Sequence, residues 1–479
     1  MLELPHHPRR EPEGEVSWEA VQGLFACCAD FARKEIAPAG LQAPVRVCWL
    51  EGLVRSERLN DYVLRPLTAL QPVPGERLAR TVCRGGVWCQ NAMEQQTLAD
   101  TAAQMLAGAC AIFLPDGVVT CVVESEEKRA VSQPDNESEA KAPKDSFVES
   151  LRTNTGLIRR RLRSPHLCIR REIVGRQTHT AVELLWLDNI CDPALPERAA
   201  GVLRGIDQES LLTAAELEEH LADPSASAFP RLLSTERPDR VCQALLEGRV
   251  AVLAEGIPLA LAAPAEAGQF LRAPQDRSYH FAAAGALALL RRLCVGATLL
   301  LPGFYAAVAS FHAELIPTQL AVSIITSEQD VPFPVGFEVL GMLLAFEILQ
   351  EAGLRLPKTI GQTVSIIGGL VVGQAAVEAR IVSPAVVIVV AVAGITGFTV
   401  PDQDFANALR LWRLGLCALS SVLGIFGLTL GGAGLVLHLS SLESLGVAYL
   451  SPGAGMLRPL KESIRRPDLL RPVNRRARG

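Results

Sequence analysis

Two spacings of apolar residues run through this chain, and one gives way to the other near residue 281. In the first part, residues 17–38 repeat apolar positions at helical spacing, with Leu24, Phe25, Cys28 and Phe31 on one side. Residues 45–54 (VRVCWLEGLV) make a strand-like run ending at a turn. Residues 96–109 predict a helix, and 110–123 (CAIFLPDGVVTCVV) predict a hairpin turning at Pro-Asp-Gly. After a charged, Ser/Pro-containing stretch, residues 147–163 predict an amphipathic helix that ends in Arg159, Arg160, Arg161 and Arg163. That cluster reads as a solvated or subunit-contacting face, or more sharply as an anion or headgroup site. A strand over 179–190 follows, then a helix over 194–207 leading to a second strand near Asp207. A short helix over 213–223 has Thr213 as N-cap and Glu216 completing a capping box. Residues 229–261 give a helix over 237–247 and strands over 249–254 and 257–262, with Glu236, Arg237 and Asp239 tethering the loop. The alternation predicts an α/β region of two subdomains, 17–123 and 147–280. A flexible N-terminus (1–16) precedes them and a mobile linker (124–146) joins them.

Beyond residue 281 the apolar runs lengthen. Residues 293–311 carry about one bilayer's worth of helix, kinked at Pro302, with the short apolar segment 281–290 before it. Residues 315–334 (LIPTQLAVSIITSEQDVPFP) read as interfacial. Further runs lie at 335–350, 360–377, 384–400, 411–430 and 431–450, which predicts an all-α polytopic membrane domain over 281–450 with four to six crossings. Positive charge orients them, because cytosolic loops collect Lys and Arg. Arg291 and Arg292 precede the first run. Arg355 with Lys358 and Arg410 with Arg413 mark loops, and 451–479 is a basic tail suited to an anionic lipid surface. Six crossings place both loops and the tail inside and are preferred. Four leave Arg410 and Arg413 outside.

One stretch, 332–378, stands out because its apolar runs carry Glu338 and Glu347, then Gln362, Ser365 and Gln374. An ionisable side chain at membrane depth costs roughly 2.5–3.5 kcal/mol on insertion scales, so it is kept where it works or where it is shielded. Glu338 and Glu347 are nine residues apart, which at roughly 100° per residue sets them on opposite sides of a straight helix. Glu347 and Glu351 share a side. These six residues are candidates for an ion pathway or gate, and hydrogen bonding between helices is the competing reading. Gly369 and Gly373 form a G-x-x-x-G pair for close helix packing.

Composition narrows the function. Residues 1–290 hold 31 Lys/Arg against 39 Asp/Glu, an acidic balance that argues against a nucleic-acid surface. No signal peptide is evident, so the soluble part is expected in the cytosol. The 12 cysteines are scattered without metal spacing, Cys27 and Cys28 read as ordinary helix residues, and the histidines do not cluster. Phosphate-binding, nucleophile-elbow and zinc motifs are absent. An enzyme, a cofactor and a bound metal are therefore not expected.

Several ordered stretches resemble one family. PFPVGFEVLGMLLAFEILQEAGLRLPK, GQTVSIIGGLVVGQAAVEARIVSPAVVIVVAVAGITGF and NALRLWR lie in the membrane part. FVESLRTNTGLIRRRL, SPHL and FPRLLSTERPDRVCQALLEGRVAVLAEG lie in the soluble part, and LGVAYLSP and RRPDLLRP come last. Together they resemble the A subunits of the spore germination receptors of endospore-forming bacteria, the GerA family, from about residue 20 onward. The resemblance implies a multi-pass protein of the spore inner membrane with a cytosolic two-part α/β domain and a cytosolic tail. It implies a homo-oligomeric ring acting as a nutrient-gated cation channel, beside a transporter-like B subunit and a lipoprotein C subunit, with nutrient recognition in B. Asp402 stands where relatives commonly carry Asn, and Cys48-Trp49 and Leu185-Trp186 stand where they often carry Tyr. The alternative within the family is an accessory membrane protein that amplifies germination without its own nutrient-sensing subunit.

Overall fold

The structure is a computed structural model. It describes the chain apart from residues 1–11, 13, 39, 42, 74, 90, 125–142, 223–226, 274–275, 277–278, 356–370 and 451–479. The chain divides into two compact units: residues 1–224, 232–265 and 444–446 form one, and residues 225–231, 266–443 and 447–479 the other.

The first unit is an α/β body built on two five-stranded sheets. Helix α1 (Trp18–Leu24) is capped by Ser17, whose Oγ accepts the N–H of Ala20. Strands β1 (Phe31–Ile36), β2 (Val45–Leu50), β3 (Ala92–Gln95), β4 (Ala109–Leu114) and β5 (Gly117–Val122) pair in the order β1-β2-β4-β5-β3. Helix α2 (Leu98–Leu106) precedes β4, with Thr97 capping it. The second sheet takes β6 (Leu167–Val174), β7 (Thr180–Leu187), β8 (Leu233–Thr235), β9 (Val250–Ala254) and β10 (Ala260–Ala263) in the order β6-β7-β9-β10-β8. Helix α3 (Leu151–Arg161) comes before β6, α4 (Ala194–Gly205) and α5 (Ala214–Leu221) follow β7, and α6 (Pro238–Leu246) precedes β9. Numbered from its own first strand, each sheet has the order 1-2-4-5-3, so one topology occurs twice. Each copy also turns from its helix into the fourth strand on a glycine with positive φ, Gly108 (+95°) and Gly248 (+86°), where a side chain is strained.

Three sequence expectations change here. The 17–38 segment is not one helix: it stops at Leu24 and becomes β1, because Phe25 and Cys28 are buried beside the sheet residues Cys48 and Leu50 instead of continuing a helical stripe. No described strand follows α4, and residues 206–213 run as a loop into α5. Its Thr213 cap accepts from Glu216 N–H, while the Glu216 carboxylate takes the N–H of Leu212. Cys27 lies beyond α1 and is disulfide-bonded to Cys168 at the start of β6. The expected linker 124–146 falls almost wholly outside the described residues.

Helix α3 ties the two sheets together. Arg159 is fully buried and gives two hydrogen bonds to Asp30, Nε to Oδ2 at 2.7 Å and Nη2 to Oδ1 at 2.8 Å. The Asp30 carboxylate outweighs the burial and holds the guanidinium firmly protonated. The arginine cluster is thus not one exposed face: Arg161 also pairs, with Asp145. The helix bears Gly156 against Gly52. A Cβ on Gly156 would stand 2.6 Å from the Gly52 carbonyl oxygen, so both glycines exist for close backbone approach. The adjacent Thr155 donates to buried Glu183 of β7 at 2.5 Å. Ile158 is fully buried in the second core with Leu167, Leu185 and Leu253, worth about 1.5–3 kcal/mol by area.

The second unit is helical. Its elements are α7 (Phe281–Phe311), α8 (Thr318–Glu328), α9 (Val335–Arg355), α10 (Pro384–Gly397) and α11 (Gln403–Ser441). Residues 281–290 are the first turns of α7, not a separate segment. Among the described residues two helices are long and apolar enough to cross a membrane, Ala282–Phe311 and Gln403–Ser441. The second is folded back on itself. Gly424 has φ +62° and ψ −144°, and beyond it Gly431 returns against Leu416 and His438 against Trp412, whose rings are 5.5 Å apart. The outgoing leg, 403–423, would be about 31 Å long and the returning leg, 425–441, about 26 Å at ~1.5 Å per residue. The expected break between 430 and 431 therefore falls at Gly424 instead, the one residue in that stretch whose missing Cβ allows the reversal.

Candidate functional site

Contacts set the directions of α7, α9, α10 and α11 in the second unit. Thr298 of α7 donates to Thr396 of α10 at 2.8 Å, and Tyr305 packs with Val382 and Val386 near the start of α10, so α7 and α10 run antiparallel. Glu338 of α9 meets Ser383, just before α10, and Phe346 meets Gly394, so α9 and α10 run parallel. Gly336 faces Ser421 and Phe311 faces Gly424. The end of α7, the start of α9 and the hairpin tip thus lie at one end of the bundle.

Within this bundle Glu347 faces the outgoing leg of α11. It forms an ion pair with Arg413 and stands 3.9 Å from Nε of Arg410. Arg413 is 2% exposed and also donates to the Ala393 carbonyl at 3.4 Å. α11 is started by Asp402, whose carboxylate accepts the Phe405 N–H at 2.9 Å. Arg410 and Arg413 therefore belong to its second and third turns. They are not loop charges, because the cap sets the helix going before them and Arg413 finds a carboxylate on α9. Thr298, Gln350, Arg410 and Arg413 line a cavity of ≈ 10 Å³ at this level, about the room one water needs.

Nearer the hairpin tip, Glu338 is 3% exposed, and one carboxylate oxygen accepts the Ser383 N–H at 2.8 Å. The structure therefore gives the two glutamates of α9 different neighbours. It brings neither Glu351 nor Gln374 to them. Glu351 is exposed, and Gln374 is exposed and donates to Glu378 at 2.9 Å. Gly373 is buried with room for a Cβ only at 3.2 Å from Val387, so it packs closely on α10. Gln362, Ser365 and Gly369 lie outside the described residues. Arg413 is the functional candidate that loop reasoning missed. The signal was present: Ala406, Leu409, Arg413, Leu416, Cys417 and Ser420 recur at helical spacing and are all buried.

The chain thus carries an α/β body with paired sheets and a helical unit that holds two helices long and apolar enough to cross a membrane. Residues 19–477 match the family described as Bacillus/Clostridium GerA spore germination protein. The chain is 37% identical to the "Spore germination protein KA" of Bacillus subtilis (strain 168) over 85% of its length and 75% of that protein's. It is 32% identical to the "Spore germination protein GerLA" of Bacillus cereus over 88% and 86%. It is also 37% identical to an "Uncharacterized membrane protein YfkQ" of Bacillus subtilis (strain 168) over 85% and 79%. Among solved structures it is similar to the N-terminal domain of the A subunit of the Bacillus megaterium spore germinant receptor GerK3. That match has 22% identity and a TM-score of 0.39, covering 52% of this chain and 92% of the other. The chain belongs to the GerA family of spore germination proteins, and its role is in spore germination.

Proposed function

We propose that this chain is the A subunit of a nutrient germinant receptor, a multi-pass protein that oligomerises and passes cations when the receptor is triggered. The observation that carries the proposal is the Glu347–Arg413 pair, in which a buried arginine meets a part-buried glutamate between apolar helices. Charge at that depth is expensive and is retained where ions or gating need it. The cavity beside the pair is too small within one chain for a permanent passage, which favours a path that opens between copies. Phe337, Ile348, Val422, Phe426 and Leu437, all at least 60% exposed, offer an apolar surface to lipid or to those copies. A B-type transporter-like subunit and a C-type lipoprotein are the expected partners.

Helix direction supports six crossings. α9 and α10 run the same way, so the connection between them must return to the starting end. α7 and α9 meet at the hairpin tip, which leaves α8 no crossing to make. With Arg291 and Arg292 inside, the soluble unit and the basic tail face the cytosol and the tip faces away from it.

Deleting the gene in a strain without other germinant receptors, and scoring germination and cation release on a nutrient panel, tests the receptor role. Unchanged germination on every nutrient would remove it. Glu347→Ala and Glu338→Ala, made singly, test the conduction role. Wild-type cation release in both would remove that part alone.

A further inference from the structure

We propose that Glu338, Glu328, Ser383 and Tyr305 form a binding site for a partly dehydrated alkali-metal cation near the hairpin-tip end of the helical unit. Four oxygens there are buried without a well-formed hydrogen bond among the described residues: Oε1 of Glu338, Oε1 of Glu328, Oγ of Ser383 and Oη of Tyr305. They come from four parts of the chain, the start of α9, the last residue of α8, the residue before α10 and the body of α7. Ser383 is fully buried, and its N–H already holds the other oxygen of Glu338. The Tyr305 hydroxyl turns toward Ser383 and lies within electrostatic reach of both carboxylates. Glu328 and Glu338 also feel each other's charge.

A buried polar atom left unsatisfied costs about 1–3 kcal/mol; the Ser383 hydroxyl interacts with both Tyr305 and Glu338, but no Lys or Arg is paired to either carboxylate among the described residues. A positive ligand resolves the deficit. The donors are all oxygen, which selects a hard cation. Among the described residues no three His, Cys, Asp or Glu side chains gather as a metal site. Two carboxylates and two hydroxyls, with water completing the shell, therefore suit a weakly held monovalent ion better than a tightly held divalent one. Binding that is favourable yet easily released is what conduction requires. The inference deepens the conduction reading by naming its ligand class, and it rests on that reading only for the purpose of binding.

The test uses the full chain in lipid nanodiscs. Thermal unfolding is followed as NaCl or KCl replaces N-methylglucamine chloride at constant ionic strength. The wild type should show a saturable rise in Tm. Glu338→Gln, which keeps a carbonyl oxygen for the Ser383 N–H, and Ser383→Ala should raise the half-saturating concentration by roughly tenfold or more, as loss of a ligand-shell group does. Glu314→Gln, at an exposed acid outside the site, should respond like wild type. If Ser383→Ala does not fold, Glu328→Gln takes its place. Variants that respond as wild type does overturn the site. So does a wild type that responds to pH but to neither salt, since the carboxylates would then share a proton. Neither result touches the receptor role, which stands or falls on the deletion strain.

Discussion

Breaking the Glu347–Arg413 pair separates a working charge from a structural one. Glu347→Gln leaves the Arg413 guanidinium, 2% exposed, with neutral acceptors only, the new amide oxygen and the Ala393 carbonyl, in place of its counter-charge on α9. The gross attraction of a second cation at the Arg410 distance, 3.9 Å, is about 4 kcal/mol at an effective dielectric of ~20. Desolvation of both ions opposes it, and the measured cost of removing one member of a buried pair is about 3–5 kcal/mol. At roughly 2–4 °C per kcal/mol for a unit of this size, Tm should fall by at least about 6 °C. Arg413→Met should cost a similar amount. The double variant Glu347→Met with Arg413→Met removes both charges and should recover most of the loss, because apolar replacement of a whole buried pair is often neutral. Thermal unfolding in nanodiscs measures stability, and nutrient-triggered cation release from spores measures function. If the pair serves conduction, the double variant regains Tm but not cation release. A double variant that regains both refutes the functional reasoning, and one no more stable than either single variant refutes the energetic reasoning.

Other expectations are more local. Gly424→Ala places a Cβ 3.2 Å from Phe311 in a backbone region that is essentially glycine's alone; it should cost about 1–3 kcal/mol and lower the yield of folded protein in detergent. Asp30→Asn should cost about 3–5 kcal/mol by stranding buried Arg159, read from urea unfolding of the soluble unit by tryptophan fluorescence; a loss below about 1 kcal/mol would show that water reaches the pair. Thr213→Ala should cost about 1 kcal/mol, through loss of the cap on α5. Burial pushes the thiols of Cys48, Cys191 and Cys242 up to about 12. They stay protonated below that range, so iodoacetamide at pH 8 should label them only after denaturation, as mass spectrometry will show.

Period and turn chemistry made much of the α/β fold legible. The 110–123 hairpin, helix 151–161, the Thr213 cap and the α6–β9–β10 unit all follow from residues close in sequence. The repeated sheet order did not, because the third strand of each sheet is short and its pairing is long-range: β3 joins β5, and β8 joins β10. The reach of Arg159 to Asp30 was equally hidden, since a run of arginines reads as exposed until a carboxylate 129 residues away is placed beside it. In the helical unit, apolar length exposed the membrane character and the two glutamates. The partner of Glu347 was obscured by treating 401–413 as a loop, although Asp402 carries the signature of a helix cap.

Helix α3 also decides what the α/β unit can do as a mechanical part. It holds Asp30 in front of one sheet and Glu183 within the other, and its Gly156 rests directly on Gly52. With a buried ion pair, a buried hydroxyl–carboxylate bond and a backbone seat on one three-turn rod, the sheets have no slack in which to hinge. A spin-label pair with one label on β1 and the other on β10 should keep a single sharp distance whatever ligand is added. Any displacement of one sheet would then carry the other with it.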